Sequence, residues 1–379
     1  MHTHVPTRPT PTAPPAPRPQ GWWGRWSLLL ALLWSAETAV LALGWSLGVL
    51  AHPFADEGAV LMGAILNAFA PGVGIAVTAA VGVVGAAVAA RALRRRQAGD
   101  PPSRSGVALA WALTAVVLVT MVHGQLLAML GYLPVVLTLG WFTPGMQAAY
   151  LRALLSPETV FLVSGVLGTL AWGAAALVLM RARRAACQVC GRRHDWTPAA
   201  EGALRRRALR VGRVAVAVAV VSALVYPAAR IPWLFGIPVG MDEASWALLE
   251  AEGARATGVA LGTAAVVGAV LMLGLVMAWG ERVPRWLPWL GGRRVPVAAA
   301  VAPATVVSIA LLSVGRGAIP TALSGTFPVG GDQAWVHIAA LLAMLPWGLA
   351  LAVATGAYAL RRRAECAACG RGLPEPARR

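Results

Sequence analysis

Long apolar runs broken by short arginine-rich segments constrain this chain more than any other feature. A bilayer core of about 30 Å is crossed by a helix of about 20 apolar residues. Runs near 26–50, 71–90, 107–130, 159–180, 212–232, 257–279, 297–315 and 336–360 reach that length. Only 12% of the residues are charged and 58% are hydrophobic, whereas a soluble domain carries about 25% charged residues. The fold class expected is therefore all-α: a polytopic membrane protein of about eight transmembrane helices, solvated by lipid.

The basic residues set the orientation. All 32 are arginine, and the formal net charge is +17. That charge does not point to nucleic acid, because the arginines flank the apolar runs, where the positive-inside rule places them. With successive breaks assigned to opposite sides, one side holds 28 arginines. The other holds four: Arg152, Arg230, Arg255 and Arg316. The sparse side also carries Asp56, Glu57, Glu158, Asp242, Glu243, Glu250, Glu252 and Asp332. Both termini fall on the arginine side, so the expectation is a plasma-membrane protein with both ends in the cytoplasm and the lipid bilayer as its partner. The tryptophans near span ends, such as Trp23, Trp26 and Trp286, read as an interfacial belt.

The landmarks of the first half recur in the second. Cys187-Gln-Val-Cys190-Gly191-Arg192 matches Cys366-Ala-Ala-Cys369-Gly370-Arg371. Asp56-Glu57 matches Asp242-Glu243, Gly72-Val73 matches Gly258-Val259, and Trp172-Gly173 matches Trp347-Gly348, in the same order. Four spans per half give both halves the same orientation, so the sequence predicts two parallel four-helix repeats about an axis along the membrane normal. The divisions expected are a disordered proline-rich tail over 1–25, a first repeat over 26–192, a basic linker over 193–211, a second repeat over 212–371 and a basic tail over 372–379. Residues 58–70 read as a short outer or re-entrant helix.

The cysteine pairs are the most specific chemical signal. Cys187/Cys190 and Cys366/Cys369 each have zinc-knuckle spacing, and two knuckles supply the four thiolates of a tetrahedral structural Zn²⁺ site. The pairs are too far apart for an ordinary ribbon, but duplication allows equivalent loops to meet at the axis. Uncoupled free pairs and a redox-active pair stand beside that reading. His194 is a spare ligand or a solvated loop residue.

Inside the spans, Glu37 lies near the middle of the first run, where an ionisable group is a functional candidate. Alignment of the halves puts Arg230 one position from its counterpart, so the two are candidates to pair across the repeat interface. His123, with Gln125, is a candidate lining residue toward the outer end of the third span. Gly82, Gly85, Gly262 and Gly268 read as close helix contacts. No Walker loop, His-Glu-x-x-His or Gly-x-Ser-x-Gly is present, so no catalytic residue is assigned.

Residues 226–240, Tyr-Pro-Ala-Ala-Arg-Ile-Pro-Trp-Leu-Phe-Gly-Ile-Pro-Val-Gly, and the run from Trp286 to Arg294 resemble segments of uncharacterised multi-pass membrane proteins of actinobacteria. The resemblance covers mainly residues 210–300 and implies an envelope location without an activity. Three functions remain open: a carrier-like or structural envelope component, a zinc-clamped sensor or scaffold, and a membrane enzyme acting on lipid or a thiol partner.

Overall fold

The computed structural model describes residues 21–54, 63–138, 140–142, 144–251, 253–286, 288, 291–324, 327 and 330–373. The proline-rich tail before residue 21, Asp56, Glu57, residues 58–62 of the expected outer helix, and residues 374–379 lie outside these. Twelve α-helices are described: α1 (Gly21–Ser46), α2 (Pro71–Gln97), α3 (Arg104–Thr120), α4 (Gln125–Thr138), α5 (Met146–Leu154) and α6 (Pro157–Arg183) in the first half. The second half holds α7 (Pro198–Arg230), α8 (Glu243–Ala251), α9 (Arg255–Leu273), α10 (Val297–Ser324), α11 (Ala334–Leu342) and α12 (Met344–Arg362). Among the described residues there is no strand, only one antiparallel bridge between Arg282 and Arg294.

Seven helical segments are long and apolar enough to cross a bilayer, and the bent pair α3–α4 makes an eighth. The protein is a multi-pass membrane protein with the all-α architecture expected. The pairings are local to each half. α1 packs on α2 and α6, and α6 on α3; α7 packs on α9 and α12, and α12 on α10. Each half has its own apolar core, around Trp172 and Phe54 in the first and around Tyr358 and Leu351 in the second. A smaller cluster joins them, with Val122, Leu126 and Leu162 against Ile309 and Ala310.

Small residues bring the helices close. A Cβ at Gly82 would lie 2.5 Å from the backbone nitrogen of Ala39, so α2 approaches α1 to a distance only glycine permits. Gly85 on Ser35 and Gly262 on Arg230 are similar, whereas a Cβ at Gly268 would meet nothing nearer than 4.0 Å. Buried indoles are satisfied within this packing. Trp34 Nε1 donates to the Ser164 carbonyl at 2.8 Å, and Trp172 Nε1 donates to Ser35 Oγ at 3.2 Å.

Four boundaries differ from the sequence reading. α1 starts at Gly21, so residues 21–25 are helical and not tail. The expected linker over 193–211 is helix from Pro198 onward. Thr197 accepts from the Ala200 N–H at 3.2 Å and Pro198 fills the first helical position, which together start α7 well before its apolar run. At 33 residues, α7 is about 50 Å long. That exceeds a bilayer core of about 30 Å, so Pro198–Arg210 stands clear of it. The third span is broken by 64° between Thr120 and Gln125, where Gly124 interrupts the run. Finally, of the outer helix expected over 58–70, the described part is a 3₁₀ turn at Ile65–Ala68.

Candidate metal centre

The four cysteines come together at the arginine-rich end of the helices. The chain leaves α6, turns at Ala185 with φ +50°, and folds the first cysteine pair into a tight loop. Cys187 N–H donates to the Arg192 carbonyl at 2.8 Å, and Gly191 N–H donates to the Cys187 carbonyl at 2.7 Å. After α12 the second pair repeats this. Cys366 N–H donates to Arg371 O at 3.0 Å and Gly370 N–H to Cys366 O at 2.7 Å. The closing residues Gly191 and Gly370 have φ of +74° and +68°, a region that glycine adopts without the Cβ penalty of other residues. The Cys-Gly step that marks each motif is therefore what the loop geometry demands.

The two loops face each other. Cys187 Sγ lies 4.0 Å from Cys366 Sγ, and Cys190 Sγ lies 3.6 Å from Cys369 Sγ. All four sulfurs fall within 4.8 Å of one another. A tetrahedral Zn–S₄ site with bonds of about 2.3 Å requires sulfurs about 3.8 Å apart, so the cluster is close to coordination size. Cys187 and Cys366 are buried, and the other two are half-buried. These are thiols, not disulfides. His194 is exposed in the loop beyond Cys190 and outside the cluster.

Proton affinities within the cluster diverge. Burial pushes the Cys190 thiol up and drives Cys369 to about 12. Burial acts in the same sense on Cys187, but hydrogen bonds from the backbone of Cys190 and Val189 outweigh it and leave this thiol below its ordinary value. Four thiolates cannot share so small a space unless a cation offsets their repulsion. That is the chemistry a divalent metal supplies.

Beneath the sulfurs lies a buried ionic clamp that sequence reasoning missed. Glu201, on the first turn of α7, is 1% exposed. Arg192 grips it with two donors, Nε to Oε2 at 3.1 Å and Nη2 to Oε1 at 3.0 Å. Arg363, just beyond the end of α12, grips it too, Nε to Oε1 at 3.0 Å and Nη2 to Oε2 at 2.8 Å. Trp196 Nε1 adds a fifth donor at 2.9 Å. Burial works to raise the Glu201 carboxyl, but the two guanidiniums and the indole hold it at about 2. Arg192 Nη1 also donates to the carbonyls of Ala364 and Arg371, each at 2.9 Å, and Arg363 Nη1 to that of Cys190 at 3.1 Å. Each cysteine loop is thus held by an arginine from the other half.

The intramembrane candidates are not brought together. Glu37 lies on the exposed side of α1, whose contacts are with α2 and α6. Arg230 lies over the Trp233 ring at 4.1 Å and the Tyr226 ring at 5.4 Å, not against Glu37. The helices pair within halves, so near-equivalent positions on α1 and α7 do not meet. His123 is buried at the break between α3 and α4. Next to it, Arg316 of α10 donates from Nη2 to the Val122 carbonyl at 3.3 Å. Gln125 Nε2 donates to Thr159 Oγ1 at 3.1 Å.

No protein-family model, curated protein or solved structure matches this chain, so the chemistry of the centre rests on its own geometry.

Proposed function

We propose that this protein is a non-enzymatic scaffold or sensor of the plasma membrane, with its arginine-rich end in the cytoplasm. In this reading it consists of two parallel four-span repeats clamped by one structural Zn²⁺. Cys187, Cys190, Cys366 and Cys369 would hold the metal, which would supply the charge that lets all four sulfurs be thiolates. The observation that carries the reading is the convergence of two like-built Cys-x-x-Cys-Gly-Arg loops, with all four sulfurs within 4.8 Å. The repeated order of helix pairings supports duplication, because it gives each half one such loop at the same end. A centre with four protein ligands leaves no open position for substrate, which favours a structural metal over a catalytic one.

Elemental analysis of protein purified in detergent tests the proposal. One zinc per chain is expected, falling to a small fraction in Cys187→Ser and in Cys366→Ser. No zinc in the parent protein, or equal zinc in the variants, would sink it. Cysteine labelling in intact cells tests the orientation, since Val189→Cys and Ala367→Cys should react only after the membrane is opened.

One observation favours a carrier as the second reading. The third span is broken by 64°, and Arg316 Nε and Nη1 are buried beside that break without a hydrogen-bond partner. Broken helices near unpaired charge are how transporters build binding sites. Uptake of a candidate anion into vesicles that is unchanged by Arg316→Gln would remove this reading.

A further inference from the structure

A second basic feature lies behind the cysteine loops. The segment between α9 and α10 folds back through the Arg282–Arg294 bridge. Val283 N–H donates to the Arg293 carbonyl at 2.9 Å, Val295 N–H donates to that of Glu281 at 3.0 Å, and Arg362 Nη2 donates to that of Val295 at 3.1 Å. This holds the segment over the ends of α7 and α12 and encloses a cavity of about 230 Å³. Its walls are Arg205, Arg282, Arg294, Arg361, Arg362 and Arg363, with Glu281 the one acid and Ala364 the one apolar side chain.

The acids nearby are already engaged. Glu281 is bound to Arg361 at 2.6 Å. Glu201 sits outside the cavity and is gripped by Arg192 and Arg363, with Arg205 at 3.7 Å. In the wall, Arg362 Nη1 is buried without a hydrogen-bond partner. A buried guanidinium N–H left unmade costs free energy, and like charges held around one small space repel. Both costs are offset by an anion that accepts several N–H donors at once. The planar forks of arginine match a phosphate group, and the three oxygens of a terminal phosphate can each take two donors. The volume is below the range of about 300–1,000 Å³ that holds drug-sized ligands, and there is almost no apolar wall. The guest is therefore compact and highly charged.

The geometry points to a phosphate-recognition site in this cavity, one that takes a phosphate or pyrophosphate group carried by a soluble compound or a lipid headgroup. Arg282 and Arg362 contribute donors that the fold does not otherwise use. The site does not depend on the metal, whose ligands lie outside it, and zinc content read on the same samples separates failure of one from failure of the other.

Calorimetric titration of the full chain in phosphatidylcholine nanodiscs tests it, with sodium pyrophosphate in one arm and short-chain phosphatidate in the other. Saturable binding of pyrophosphate is expected, weakening as salt is raised. Arg282→Gln, a change on an exposed loop, should weaken it by about tenfold or more, as should Arg362→Gln, each removing charge-assisted hydrogen bonds. Arg285→Gln, on the same loop but away from the cavity, should leave affinity within about twofold. Pyrophosphate binding without phosphatidate binding assigns a soluble guest, and mutual competition assigns a headgroup. Failure of both probes to bind saturably overturns the inference. So does binding that survives Arg282→Gln, which keeps the test decisive if Arg362→Gln unfolds.

Discussion

Glu201 concentrates the polar energy of the arginine-rich end in one side chain. With its carboxyl at about 2 against an ordinary 4.5, and about 1.4 kcal/mol per unit, its ionisation is worth about 3 kcal/mol to the folded state. The native value is depressed, so this contribution is complete above 4.5 and is lost as pH falls toward 2. Glu201→Gln should lower stability at pH 7 by about 3–5 kcal/mol, because Arg192 then lies buried without its counter-charge. Chemical denaturation of both proteins from pH 7 downward checks this: the gap between them should close between pH 4.5 and 2. A constant gap would show that the clamp is not electrostatic.

The residue scale also shows what the sequence reveals. The cysteines were legible because spacing and glycine are local demands of one loop, written out twice. Glu201 was not, because an acid in a helix's first turn already has a local explanation in the helix dipole. Its second guanidinium, on Arg363, comes from 162 residues away. The Glu37–Arg230 pairing failed for a related reason. α1 and α7 each pack inside their own half, so the two positions do not meet.

At the scale of elements, apolar length made the helices readable but not their edges. α7 is extended by a Thr197 cap, and the third span is cut at His123-Gly124-Gln125, a polar interruption too short to separate two apolar runs in the sequence. The close approach of α1 and α2 makes a sharp prediction. Gly82→Ala forces a Cβ to 2.5 Å from the Ala39 nitrogen and should destabilise the first half by about 1–3 kcal/mol. Gly268→Ala, with nothing nearer than 4.0 Å, should be tolerated. Thermal unfolding of the two variants side by side checks both outcomes, and equal midpoints would contradict the packing described here.

At the scale of the molecule, two separate cores share a thin apolar seam, so the links at the arginine-rich end matter to how the halves stay together. A protease site placed after Arg193 gives a direct measure. The cut protein should run as one species while the metal is bound, and should separate in mild detergent once a chelator is added. Halves that remain together without metal would assign their cohesion to the Arg192 and Arg363 hydrogen bonds and to the seam of Val122, Leu162 and Ile309 instead.

The partner sulfurs lie 179 residues apart in the chain. A ribosome makes the first loop long before the second exists, and the Arg363 donor and the Ala364 and Arg371 carbonyls that bind it wait on the same late segment. Closure of the four-sulfur cluster under this architecture becomes the last event of synthesis: it follows insertion of the final helix, and any chain that stops short of Cys366 carries half the cluster and no means of completing it.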